Sequence, residues 1–242
     1  MVHMDKFCLT YKNPQKRTLM MQKFAQLGWQ VRMCEGVDVH DSIRAPSVAQ
    51  ITQAKNHNRW DAHAWSVMQG HMCMLETFVQ EGHAPYVMCM EDDILIRRDI
   101  NEHLPKIMAD FELCNLDLCM LGYLAIEPLH HIQVKYPQMN QVFTFHEYPF
   151  HVFGTQMYVM KRSHAEWLVS MYGHATGWHT HVLETDGTYN ADWLITKQGT
   201  TACVYPLLAV EQRGGGTVYA DAEQTDFHDM CHEANYLPHI HL

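Results

Sequence analysis

The chain contains no run of about 18 uninterrupted apolar residues, the length a membrane-crossing helix needs. Its start, Met1 to Asp5, has none of the apolar character of a secretory leader. Both absences predict a cytoplasmic protein without a transmembrane segment, with peripheral attachment to a membrane left open. Basic residues are scarce: 17 Lys and Arg against 27 Asp and Glu give a formal charge of −10. A surface of that sign is unsuited to neutralising many phosphates, so nucleic acid is not an expected partner. A single diphosphate is a different matter, because a divalent cation and a few local basic groups offset it. No CxxC pair accompanies the eight cysteines, which sit mostly inside apolar runs and read as free buried thiols in a reducing compartment. Repeats, linkers and low-complexity stretches are absent too. With 242 residues, 47% of them apolar, residues 1–242 are expected to form one mixed α/β domain.

What the chain does contain is an alternation of strand and helix patterns. Phe7 to Tyr11 reads as a strand, and Asn13-Pro14 starts a helix with Met20, Phe24 and Leu27 on one face before Gly28 ends it. Gln30 to Cys34 follows as a second strand. Residues 38–58 are polar and irregular. Met68, Met72, Leu75 and Val79 then mark a helix over 62–81. Tyr86 to Met90 is a continuous apolar strand, Ile94 to Ile96 a short apolar run, 104–111 a helix, and Leu116 to Leu121 a strand closed by Gly122. Residues 123–150 show no clean period and are expected to be a loop or small hairpin. Val152 to Met160 is a strand, and Ser163 with Glu166 has the spacing of a capping box for the next helix. A short helix over Asn190 to Lys197, a strand over Thr201 to Tyr205 and an extended Pro206 to Gln212 complete the pattern.

The chemically informative feature is Glu91-Asp92-Asp93, placed directly after the apolar strand. Three carboxylates there are costly to bury unless a cation or hydrogen-bond donors meet them. In open α/β sheets the carboxyl ends of strands form the ligand crevice, and hard oxygen ligands suit Mg²⁺ or Mn²⁺ that also binds a diphosphate.

This triplet, with Gly70-His71 on a helix about twenty residues earlier, resembles glycosyltransferase family 25, the lipooligosaccharide and procollagen galactosyltransferase-like group with a GT-A fold. The opening Leu9 to Arg17 is similar to the family's first strand and its Arg-containing helix start. Leu121-Gly122, Gly154 to Met160, Asp192-Trp193-Leu194 and Pro206 to Gln212 resemble later parts of its pattern. Gly70 stands where the family has serine. The likeness covers roughly residues 5 to 212, and its specific part is the acidic triplet and its surroundings.

The resemblance implies a GT-A-like, Rossmann-like mixed sheet flanked by helices. It also implies transfer of a hexose, galactose or glucose, from a UDP-sugar to a hydroxyl of a glycan or protein acceptor, with inversion. In that scheme Asp93 and Glu91 hold Mn²⁺ or Mg²⁺, with His228 as a late histidine completing the shell, and Asp92 contacts ribose or sugar hydroxyls. Asp192 is the first candidate for the base that takes the acceptor proton, with Asp186 and then Glu184 as reserves. Tyr11 and Asn13 lie where base or ribose would rest, Arg17 where a phosphate would, and His71 on the donor side.

Each residue also has a plainer role: Asn13 as a helix cap, Asp192 as a first-turn acid, Arg17 as a solvated helix-face charge, His71 as a core histidine. The 19 histidines raise a competing expectation of zinc, with one late cluster at His174, His179 and His181 and another at His228, His232, His239 and His241. Neither HExxH nor a paired cysteine motif supports it. Two alternatives therefore stand beside the transferase: a non-catalytic nucleotide-sugar or glycan-binding module on the same fold, and a His-rich zinc hydrolase. Gly214 to Gly216 is expected to be a flexible loop able to close over donor or acceptor.

Overall fold

The computed structural model describes residues 2–38, 62–125, 136, 142–148, 152–174, 190–213 and 222–242. Asp186, Glu184, His179, His181, the 214–216 glycines and the irregular segment from 39 on lie outside the described residues. So does most of the 123–150 stretch.

The chain opens with β1 (Met4–Thr10), α1 (Pro14–Gln26) and β2 (Arg32–Glu35). Asn13 caps α1 by accepting the Lys16 N–H at 2.9 Å, and Met20 and Phe24 form its buried face. Next come α2 (Ala62–Glu81), β3 (Tyr86–Glu91), β4 (Ile94–Ile96), α3 (Ile100–Leu113) and β5 (Leu118–Leu124). Then follow β6 (Thr144–Glu147), β7 (Phe153–Lys161), α4 (Arg162–Tyr172), α5 (Ala191–Leu194), β8 (Thr201–Tyr205), β9 (Ala209–Glu211) and α6 (Ala222–Asn235).

A seven-stranded sheet runs in the order β2-β1-β3-β7-β5-β8-β6, parallel at β2-β1-β3 and β5-β8 and antiparallel where β7 and β6 enter. A separate ladder pairs β4 with β9. Core lies on both sides of the sheet, as expected when helices cover both faces. Trp65, Met68, Leu75 and Phe78 of α2 pack with Val87, Cys89 and Tyr158 on one side. Met20 and Phe24 of α1 and Ile107 and Phe111 of α3 pack with Met88, Met90 and Val159 on the other. The expected class, a Rossmann-like mixed α/β sheet flanked by helices, is what the chain adopts.

Local expectations are corrected in three places. β5 does not close at Gly122; it continues through the buried Tyr123 to Leu124, which pairs with Phe153, while the Tyr123 hydroxyl donates to the Val204 carbonyl at 2.9 Å. The Ser163–Glu166 capping box does not form. α4 starts at Arg162 straight from β7, without a side-chain cap, and Arg162 anchors that start by donating to the Ala84 carbonyl at 3.0 Å and lying 4.1 Å over the Phe78 ring. Tertiary contact, not capping, sets where this helix begins. β9 turns the extended late segment into a ladder, and α6 after it carries no strong periodic signal in the sequence.

Candidate functional site

β3 places the triplet. Side chains alternate across a strand, so Glu91 continues the row of Val87 and Cys89 toward α2, whereas Met88 and Met90 face α1 and α3. On the α2 side, Gly70 makes the helix approach possible: a Cβ there would lie 2.7 Å from a Leu9 methyl on β1. That closeness brings the next residue, His71, to Glu91.

Glu91 Oε1 accepts the Thr155 hydroxyl at 2.5 Å and lies 3.3 Å from His71 Nε2, and His71 Nδ1 is 3.1 Å from the Tyr158 hydroxyl. His71 is fully buried. Burial pushes the Tyr158 phenol well up, so it stays an O–H. The Glu91 carboxylate only accepts, so Nε2 carries the proton toward it and Nδ1 of the neutral ring accepts the Tyr158 hydroxyl. Asp192, at the start of α5, joins the same place from a hundred residues away. Its Oδ1 accepts the Gly154 N–H at 2.9 Å, and its carboxyl is pushed up by burial and next by the Glu91 charge. Asn190 caps that short helix by accepting the Trp193 N–H at 3.0 Å.

Asp92 and Asp93 serve the other side. Lys16, in the first turn of α1, holds its Nζ 3.8 Å from Asp92 and 3.5 Å from Asp93. Burial raises the Asp92 carboxyl; Asp93 is pushed up to about 7, by burial first and then by Glu91, against the pull of Lys16. The β4–β9 ladder closes this side: the Asp93 carbonyl accepts the Gln212 N–H at 2.5 Å, and Lys23 Nζ donates to the Ile94 carbonyl at 2.8 Å and to Gln212 Oε1 at 3.0 Å. Glu211 lies close enough to add to the charge felt by Asp93.

The other sequence candidates fall as follows. Tyr11, 44% exposed at the end of β1, has the Lys12 ammonium 5.3 Å from its ring. Asn13 is the α1 cap. Arg17 pairs with Glu35 at 3.8 Å, an exposed contact on the β2 side. His228 faces Glu211 at 2.5 Å, both buried, while Arg213 reaches the other Glu211 oxygen at 3.2 Å. His232 meets the Glu211 carbonyl at 2.7 Å and His241 packs on its own turn, 3.0 Å from the Leu237 carbonyl. Two of the late histidines thus share Glu211, one on its side chain and one on its carbonyl, while His241 stands apart on Leu237. Among the described residues no group of three or more His, Cys, Asp or Glu side chains is arranged to hold a metal ion.

That fact bears on how a cation would fit. A closed protein cage is not on offer, but Mg²⁺-type ions bound to diphosphates typically take only one or two carboxylates, the phosphates and water supplying the rest. Asp92 and Asp93, hard oxygen donors at a strand's carboxyl end, suit that shared mode. Sequence reasoning missed Thr155, Tyr158 and Lys16 as partners of the triplet. Strand alternation could have placed Glu91 on the α2 side, but nothing local reveals the β3–β7 register that delivers Thr155.

A cavity of about 1160 Å³ opens at the far end of the sheet, lined by Lys6, Trp29 and Asn101 among others, where β1 and β2 begin. Its rim is tied by the Trp29 indole donating to Asn101 at 2.7 Å. It lies a strand's length from the acidic tip and takes no part in it.

No protein-family model matches the chain, and no curated protein matches it. Among solved structures, it is similar to a glycosyltransferase involved in the glycosylation of the major capsid of PBCV-1, at 8% identity and TM-score 0.39 over 93% of this chain and 98% of that one. It is similar to the mannose-1-phosphate geranyltransferase from Thermus thermophilus, at 8% identity and TM-score 0.43 over 84% and 74% of the two chains. The inositol-1-phosphate CTP transferase from T. maritima is similar at 10% identity and TM-score 0.37, over 96% and 79%. At this level of likeness, any functional reading rests on the side chains. Among the described residues no helix is long and apolar enough to cross a membrane.

Proposed function

We propose that the chain is a metal-dependent, inverting glycosyltransferase of the family 25 kind, moving a hexose from a UDP-sugar to a hydroxyl of a glycan or protein acceptor. The observation that carries this reading is the convergence at one strand end of Asp92 and Asp93 with Lys16 on one side, and of Glu91 with Asp192 on the other. Such a site has one face for a charged diphosphate and another for a proton.

Asp93, with Asp92, would hold a divalent cation, which would supply Lewis-acid neutralisation of the departing diphosphate. Lys16 adds a positive charge to the same face. Asp192 accepts the acceptor's hydroxyl proton as the new bond from that oxygen to the anomeric carbon forms and the bond from the anomeric carbon to the phosphate oxygen breaks, the electron pair leaving with UDP. The Gly154 N–H holds one oxygen of Asp192 and thereby orients the carboxylate. A base of this kind typically contributes roughly 10²- to 10⁴-fold.

The test is UDP release from UDP-galactose and UDP-glucose with and without Mn²⁺. Mn²⁺-dependent release is expected; binding of UDP without turnover under any donor would favour the non-catalytic module. Asp93→Asn is expected to abolish the Mn²⁺-dependent part of UDP binding, and unchanged binding would remove the site. Asp192→Asn should leave UDP affinity in place and slow release by roughly 10²-fold or more.

A further inference from the structure

Alternation along β3 sends Glu91 to a different face of the sheet from Met88 and Met90, and the partners described for it lie there: Thr155 from β7, His71 from α2, and Tyr158 behind His71. Thr155 and His71 are themselves almost wholly buried, at 3% and 0% exposure, so they do not swing away to release it. Two donors converge on the same carboxylate oxygen, which lowers the charge that oxygen offers a cation. The direction of the chain is fixed at Glu91, because a carboxylate only accepts: the His71 Nε2 that meets it carries the ring proton, and Nδ1 of the neutral ring accepts the Tyr158 hydroxyl. Asp92 and Asp93, by contrast, face the Lys16 ammonium.

We infer that the acidic triplet is divided in function: Asp92 and Asp93 serve the cation and diphosphate, whereas Glu91, locked by the Tyr158–His71 chain and Thr155, is a positioning residue that acts through Asp192 and does not ligate the metal. This deepens the transferase reading and rests on it. Thr155, which donates to Glu91, directly follows Gly154, whose N–H holds Asp192, so consecutive residues of β7 hold the two carboxylates and Glu91 fixes the strand that orients Asp192. His71 and Tyr158 position Glu91 in turn.

Isothermal titration with Mn²⁺ alone, then with Mn²⁺ and UDP, separates the two halves of the triplet. Glu91→Gln is expected to bind both within about twofold of the wild type, while Asp93→Asn loses roughly 10- to 100-fold, the range seen even when an outer-shell partner is lost. In UDP release from UDP-galactose, Glu91→Gln should lower kcat with the donor KM unchanged. Glu91→Gln weakening Mn²⁺ binding as much as Asp93→Asn would overturn the division and leave the transferase reading standing. A wild type that neither binds nor cleaves a UDP-sugar would sink the transferase reading, and one that takes up no Mn²⁺ at all would sink both.

Imidazole ¹⁵N spectra of the unmutated protein provide a check that needs no activity and no variant. His71 is expected as the Nε2–H tautomer, and an Nδ1–H tautomer overturns the chain. Among variants, His71→Gln, which keeps an N–H for Glu91, should retain more kcat than His71→Leu. Tyr158→Phe should release the tautomer lock, and unchanged spectra and kcat together would count against it.

Discussion

Lys16 stands 3.5 Å from Asp93 and 3.8 Å from Asp92, and an ion pair at that range contributes about 1 kcal/mol where water screens it and more where it does not. The ammonium therefore competes with any cation for the same two carboxylates. Lys16→Met is expected to tighten binding of Mn²⁺ alone several-fold while weakening binding of metal-free UDP. A Mn²⁺ titration that returns the wild-type affinity would show that the ammonium does not face the ion. At this scale the acidic residues were legible, because carboxylates after an apolar strand stand out against the cost of burying them. Their allocation was not. Thr155 and Tyr158 look like ordinary strand residues, and Lys16 like one more helix-face cation, until the β3–β7 pairing and the α1 start put them beside Glu91 and Asp93.

Gly154 shows what an element contributes to the site. It begins the long central run of β7 at φ +107°, a conformation side chains with a Cβ rarely adopt, and a Cβ there would meet the buried Gln156 side chain. Its N–H holds Asp192. Gly154→Ala is expected to cost about 1–3 kcal/mol of stability and to slow UDP release beyond what the lost stability explains, since the backbone shift that relieves the strain moves the N–H that holds Asp192. Thermal melts and release assays on the same preparation check this; an unchanged melting temperature would mean the turn is not strained by a side chain. Apart from β6, which lies in the stretch without a clean period and pairs with β8 in the main sheet, the strands and helices up to α5 were readable from apolar periodicity and from Asn13-Pro14. The start of α4 was not, because packing of Arg162 on Phe78 and Ala84 outweighs a capping box whose serine ends up inside the helix. α6 escaped notice for a related reason: its buried side chains, His228 and Cys231, carry too little apolar contrast to mark a face.

At the scale of the whole fold, the thiols are the largest set of perturbed acids among the described residues. Burial pushes Cys89 and Cys203 up to about 12, and Cys8 and Cys119 well above their ordinary range. Such groups stay protonated when folded and ionise when unfolded, so the stability they contribute is fully present below about pH 8.5 and declines as pH rises from there toward the folded values. Each thiol costs about 1 kcal/mol per pH unit in that window. Lys197, lowered by burial to about 8, has the opposite slope, as do Lys6 and Lys23, both lowered by burial. Cys34, Cys114 and Cys231 are raised as well, and seven thiols against three lysines predict a melting temperature that falls between about pH 8.5 and 10. A flat profile would show that the thiols are solvated.

The short β4–β9 ladder ties the residues just after the triplet to residues 209–211, while Lys16, His71, Thr155 and Asp192 come from four other parts of the chain. The acidic tip is thus a product of high contact order: its neighbours are separated by tens to more than a hundred positions, and loop closure must precede them. A nascent chain still short of β9 would already have most of the sheet's strands but an unfinished acidic tip, so the completed site should be among the last features acquired during synthesis.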